Sequence, residues 1–397
     1  MIPITKPLIG EEEVEAAATA LRSGWVSQGP RVAEFEEAFA ATVNADHACA
    51  VSSCTTALHL ALLTLGVRPG DEVITVSHSF IATANSIRYC GAKPVFVDIE
   101  PDTFNLDPAH LESAITEHTK AVLCVHQMGM PCDLTRITAI AARHGLPVIE
   151  DAACAIGSEI RIGDLWERIG KPHGDIACFS FHPRKVITTG EGGMLTTRNP
   201  EWDAQFRLLR QHCMSVPDTK RHASAEVIFE GYPAVGFNYR MTDMQAAMGS
   251  EQLKRLPEII DKRRDLAARY QSLLAAIPVL DLPGEPDWAR SNWQSYCVRL
   301  PEIVDQKAVM QRMLDAGVAT RRGIMCSHRE NAYASDAWSC TRRLRGQCEC
   351  AKGACANLQH SEQGQDHCIV LPLFSQMTAD EQGQVVEALR RALDHKS

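Results

Sequence analysis

The chain reads as an α/β protein: a large domain on a mostly parallel central sheet, followed by a smaller C-terminal α+β domain. Three observations predict this. Between His47 and Ile149, short apolar runs rich in β-branched residues take turns with stretches of helical spacing. These runs lack the in-out alternation of a half-exposed sheet, as expected where helices cover both faces of parallel strands. The 397 residues exceed what one core usually holds, and after Met241 the rhythm gives way to long helical stretches and isolated strands.

Taken in order, residues 11–22 and 31–42 have helical spacing, joined by a glycine-rich turn from Ser23 to Pro30. Strands are expected at His47–Val51, Glu72–Val76, Pro94–Val97, Ala121–Val125 and Pro147–Ile149. The helices between them are expected at Thr55–Leu65, Ile81–Cys90, Leu106–Ile115 and Leu134–His144. A further apolar strand, Ile176–Phe179, ends shortly before Pro183. Met241–Leu256 and Pro257–Ala276 are consecutive helices, the second opened by a proline that suits a first turn. The domain boundary is expected there, with residues 1–255 as the large domain and 256–397 as the small one. Tyr296–Leu300 reads as a strand, Gln306–Ala316 as a helix, and Thr378-Ala-Asp-Glu381 as a capping box opening a last helix. Residues 326–367 are polar, irregular and cysteine-rich, and read as a long loop or insertion.

Composition narrows the function. A net charge of −9 argues against a nucleic acid or an anionic membrane surface as the main partner. No apolar run reaches transmembrane length, and the first residues lack the shape of a signal peptide. The 15 cysteines are scattered through apparent strands and helices, and read as thiols of a reducing cytoplasm. Cys340, Cys348, Cys350 and Cys355 lack the paired C-x2-C knuckles of structural zinc sites, so no metal is expected.

In a parallel sheet, ligands bind beyond the C-terminal strand ends. Ser52-Ser53-Cys54-Thr55-Thr56 opens a helix there, either as a phosphate seat or as a plain N-cap. Phe80 can stack on a flat ring or fill a core. Asp151, at a buried strand end, needs a cationic partner or caps the next segment. Lys185 lies just beyond Pro183 and ahead of the tight turn Gly190-Glu191-Gly192-Gly193. A lysine desolvated in such a place can lose its proton and form a Schiff base with an aldehyde; by itself it reads first as a surface lysine beside a turn, and only its surroundings reverse that. Together the four features specify pyridoxal 5′-phosphate: a phosphate seat, an aromatic platform, an acid for a protonated ring nitrogen, and an amine for an aldehyde.

The motif S-F-H-x-x-K-x-x-x-x-G-E-G-G runs without a gap from Ser180 to Gly193, with G-P-x-V-x-x-F-E at Gly29–Glu36, E-D-A-A at Glu150–Ala153 and G-F-N-Y-R-M-T-D at Gly236–Asp243. On these residues the sequence resembles the DegT/StrS family of fold-type-I, pyridoxal-phosphate-dependent sugar aminotransferases. The resemblance runs from Pro3 to the C-terminal helix and weakens between Cys326 and His367. It implies Lys185 as Schiff-base lysine and proton relay, Asp151 as partner of the ring nitrogen, and His182 beside the cofactor. It implies Phe80 on the ring, and Cys54, Thr55 and Ser180 on the phosphate. Asn238 would reach that phosphate from the neighbouring subunit, with Arg240 nearby, so the site would need a homodimer. His328 and Arg321 become candidates for substrate contact.

The activity so implied is ping-pong transfer from L-glutamate to a nucleotide-linked keto-sugar. A perosamine-type 4-keto-6-deoxyhexose is favoured over a 3-keto sugar or a cyclitol ketone. Two positions depart from the pattern: Cys54 stands where the family usually has Gly or Ala, and Cys154 where a Gln or His usually touches the cofactor's phenolic oxygen. A sugar dehydratase using pyridoxamine phosphate is a rival, but those relatives commonly replace the lysine by histidine. A sugar-binding sensor of the same fold would have no reason to keep Lys185, Asp151 and the Gly190–Gly193 turn together.

Overall fold

The computed structural model describes residues 1–216, 221, 224–333, 337–341 and 354–394. In chain order its strands are β1 (His47–Val51), β2 (Glu72–Val76), β3 (Lys93–Val97), β4 (Thr119–Val125) and β5 (Val148–Asp151). A hairpin follows, β6 (Glu159–Ile162) and β7 (Leu165–Arg168), then β8 (Ile176–Ser180) and β9 (Gly193–Thr197). The later strands are β10 (Ala289–Arg290), β11 (Tyr296–Arg299), β12 (Arg321–Arg322), β13 (Ser339–Cys340) and β14 (Cys368–Leu371).

Eight of them form the central sheet in the order β1-β9-β8-β5-β4-β2-β3-β13. Only β9 runs antiparallel to its neighbours, β1 and β8; the other five pairings are parallel. Every residue of β2, β5, β8 and β9 is buried, which is why β2 and β8 read as apolar runs without alternation; β9, with Gly193, Thr196 and Thr197, is a strand the sequence did not announce. The sheet's C-terminal ends therefore gather Val76, Asp151 and Ser180 at one edge, with the loops that follow them.

A second sheet, β11-β14-β12, is antiparallel throughout and packs with the helices Gln306–Asp315 and Ala379–Asp394 over a separate apolar core. Thr378 and Glu381 form the expected capping box at the last helix: Thr378 N–H donates to Glu381 Oε2 (2.8 Å) and Glu381 N–H to Thr378 Oγ1 (3.2 Å). The helix Leu256–Leu274 belongs to both cores. Its first turns place Leu256, Ile259 and Ile260 under the large sheet. Its later turns place Leu266, Tyr270 and Leu274 in the second core, where Ile2 of the N-terminal arm also lies.

Three sequence expectations change. The helix expected over Leu106–Ile115 shrinks to Pro108–Leu111 and a 3-10 turn, Glu112–Ala114, because Ile115 already turns to extended backbone (ψ 130°) on the way into β4. The helix expected from Met241 starts at Asp243, since Thr242 is its N-cap and accepts from Gln245 N–H. The segment 326–367 is not loop throughout: it contributes β13 and the helix Gln359–His367, while Cys348 and Cys350 lie outside the described residues. β13 extends the edge of the large sheet along β3 because Trp338 packs on Phe96 (ring centroids 5.6 Å apart) in a cluster with Tyr333, Cys355 and Leu358.

Candidate active site

Beyond β8 the chain turns at once, with Lys185 N–H donating to His182 O (2.8 Å). It then folds back so that Thr189 N–H donates to Phe181 O (3.0 Å), and Phe181 N–H to Gly192 O (2.9 Å). Gly190 sits at φ +81°, a conformation side chains rarely tolerate, which accounts for one glycine of the turn. Gly193 has a different reason: a Cβ there would meet the Ser53 carbonyl carbon at 2.4 Å and Cys54 N at 2.7 Å. This close approach brings the lysine-bearing turn against the start of the helix Cys54–Thr64.

That helix start is an anion seat in the making. Ser53 is the N-cap, its Oγ accepting from Thr56 N–H (3.2 Å) while Thr56 Oγ1 accepts from Ser53 N–H (3.1 Å). The N–H groups of Cys54 and Thr55, having no acceptor within a helix, remain for an outside one. Ser180 lies at the end of β8 opposite Gly193 in the β8–β9 register. The Cys54 thiol turns away, donating to Cys178 O (3.5 Å), so only its main chain faces the seat.

Lys185 Nζ donates to Cys154 Sγ at 3.0 Å. Burial, the largest single influence, favours the neutral amine, but Cys154, Cys54 and Asp151 together outweigh it and hold the pKa above its ordinary value. Desolvation acts on the amine in the expected direction, and these three neighbours act against it. Asp151 is buried at the end of β5, accepting from Thr83 Oγ1 (2.8 Å) and Ala153 N–H (3.2 Å). Burial raises its pKa despite those bonds and despite the influence of Lys185 and His126, and among the described residues the carboxyl makes no ion pair. Phe80, directly after a run of buried residues, is 63% exposed. His182 accepts from Arg184 N–H at Nδ1 (3.2 Å), burial lowers its pKa, and its other nitrogen has no hydrogen bond among the described residues.

The other candidates fall into two groups. Asn238 is exposed and Arg240 half-buried without an ion pair among the described residues; between them, Tyr239 O accepts from Ser52 N–H (2.8 Å), which sets this segment beside the anion seat. Arg321 lies exposed on β12 in the small sheet, paired with Val370 of β14. His328 is not presented to a ligand. Its Nδ1 pairs with Ser77 Oγ (2.7 Å) and its Nε2 with Glu362 (3.0 Å), both inside the protein. Trp293, at φ 50°, stacks on Tyr296 in the second core.

Sequence reading missed three supports. Thr83, in the helix Ala82–Tyr89, orients Asp151 and is itself paired with Ser79 Oγ (2.8 Å). Asn292 Nδ2 donates to Cys154 O (2.8 Å), and Gln294 Nε2 to Arg184 O (2.8 Å). Nothing in the sequence marks Asn292 and Gln294, because they reach the site from more than a hundred residues away. The arrangement can seat an anion, stack a flat ring, pair a carboxylate with a ring cation and offer an amine to a carbonyl.

The model of the DegT/DnrJ/EryC1/StrS aminotransferase family matches residues 7–390. The spore coat polysaccharide biosynthesis protein SpsC of Bacillus subtilis (strain 168) is 44% identical over 301 residues, 76% of each chain. Among solved structures, the aminotransferase TlmJ of Streptoalloteichus hindustanus superimposes with a TM-score of 0.86 at 33% identity, covering 99% of both chains. Spr1654 of Streptococcus pneumoniae, in its PMP-form, gives 0.88 at 27% identity, again over 99% of both.

Proposed function

Because the chain belongs to the DegT/DnrJ/EryC1/StrS aminotransferase family, we propose that it carries an amino group from L-glutamate to a keto-sugar, with pyridoxal 5′-phosphate as its cofactor. The acceptor we propose is a nucleotide-linked 4-keto-6-deoxyhexose, and the product an amino sugar for polysaccharide assembly. The name of the Bacillus relative supports the polysaccharide setting, and the PLP- and PMP-forms of the pneumococcal neighbour support the cofactor. The thiols buried in the large core, such as Cys49, Cys124 and Cys178, suit a reducing cytoplasm.

One observation supports the reading: Lys185, Asp151 and the open start of the helix Cys54–Thr64 lie at one sheet edge. When bound, the cofactor supplies an aldehyde for the amine and an electron sink for proton transfer at the amino acid's α-carbon. The residues do the rest. The N–H groups of Cys54 and Thr55, with Ser180, would hold the phosphate, and Phe80 would cover the ring. Asp151 would keep the ring nitrogen protonated, gaining the cation its burial calls for. Lys185 Nζ would bind the aldehyde and, once released, move the proton. His182 would stand beside the ring with its unengaged nitrogen.

Asn238 would complete the phosphate seat of a second copy, with Arg240 near the substrate. The extended stretch before it supports such a homodimer: Val227, Phe229 and Val235 are 85–90% exposed, an apolar surface a lone chain would leave in water.

The test is the visible spectrum of the purified protein with pyridoxal phosphate, followed by L-glutamate alone. We expect a band from the lysine-bound cofactor that glutamate removes and 2-oxoglutarate restores. A band untouched by glutamate would overturn the donor, and no band at all would overturn the cofactor.

A further inference from the structure

The contact between Lys185 and Cys154 goes beyond that reading while resting on it. The two residues come from different segments, the turn after β8 and the turn after β5, yet Nζ and Sγ lie 3.0 Å apart. Both turns are pinned by one short stretch. Asn292, wholly buried, donates to Cys154 O and Ile156 O (2.8 Å each), and its Oδ1 accepts from Gln294 N–H (2.8 Å). Gln294 in turn donates to Arg184 O, next to the lysine (2.8 Å). The stretch from Asn292 to Gln294 therefore holds in place the two main-chain turns from which donor and acceptor project.

We infer that Cys154 is a positioning residue for the reactive amine: its sulfur holds the Lys185 ammonium in place and sets the pH at which that amine becomes free to attack a carbonyl. A hydrogen bond to a charged group is worth more than one between neutral partners, and it holds only while the lysine keeps its proton. Amine attack on an aldehyde needs the lone pair that this proton occupies; it forms the C=N bond and expels water, so the proton must leave first.

The titratable groups that act on Nζ are Cys154, Cys54 and Asp151, and Lys185 and Arg184 in turn act on His182 on the same turn. Cys154 is the largest of those that favour the ammonium, ahead of Cys54 and Asp151. Removing it leaves burial, which acts in the opposite direction, less opposed. The sign is therefore fixed: without the sulfur, the amine loses its proton at lower pH.

The experiment compares wild type, Cys154→Ala and Cys154→Ser. Cofactor-stripped full-length protein is pulse-labelled with acetic anhydride across a pH series, and acetylation of Lys185 is read by peptide mass spectrometry. The midpoint of Lys185 labelling should fall by about one pH unit in Cys154→Ala. Cys154→Ser, which keeps an acceptor of similar size, should fall by less. The rate at which added pyridoxal phosphate develops its visible band should shift along the pH axis in parallel. An unchanged labelling midpoint in both variants, with native circular dichroism, would overturn the inference. The labelling needs no cofactor, so a wild-type protein that never develops a band would sink the aminotransferase reading while still deciding the role of Cys154.

Discussion

Asp151 and Lys185 sit within one pocket but make opposite demands on stability. Burial lifts the Asp151 carboxyl above its ordinary value. Below that ordinary value the group is protonated whether the chain is folded or not. As pH rises through it, the unfolded chain ionises freely while the fold resists, so the cofactor-free protein loses stability toward neutral pH. Asp151→Asn should accordingly raise the melting temperature of cofactor-free protein at pH 7, and the gain should shrink as pH falls toward 4. Glutamate-dependent transfer by the same variant should drop by ~10²-fold or more, as measured by initial rates. Lys185→Ala should leave the circular dichroism spectrum native and abolish transfer; retained turnover would remove Lys185 from the proton relay. Both residues were legible in the sequence because their neighbours are local: a strand end, a proline and a glycine turn. The surplus of groups favouring the ammonium was not, because Cys54 and Cys154 reach Lys185 from 131 and 31 positions back in the chain.

Elements differ in how far their causes lie along the chain. Strands such as β2 and β8 announce themselves as short apolar runs, since both faces are covered. The helix Gln359–His367 has no apolar stripe to announce it. Its first N–H groups are held from outside, by Asp98 at the end of β3, which accepts from His360 N–H (2.9 Å) and Ser361 N–H (2.8 Å). β13 is equally silent in sequence, because two residues pair only once Trp338, Tyr333 and Leu358 have met Phe96. Tyr333 OH also donates to Asn85 Oδ1 (2.7 Å), in the helix that carries Thr83. Trp338→Ala should cost about 3 kcal/mol in urea unfolding. A loss under 1 kcal/mol would mean that this edge adds little to the sheet.

At the scale of the molecule, the stretch from Val227 to Val235 leaves Val227, Phe229 and Val235 almost fully exposed. Phe229→Asp should yield a monomer by sedimentation velocity, with weakened cofactor binding if Asn238 serves the partner's site. A variant that stays dimeric would place the interface elsewhere. The helix Leu256–Leu274 has a different consequence. It runs unbroken for 19 residues, about 28 Å, with one end set in each core. A stiff beam anchored at both ends leaves no flexure point for one lobe to swing over the other. Ligand entry must therefore rely on rearranged loops, and small-angle scattering profiles recorded with and without substrate should superimpose.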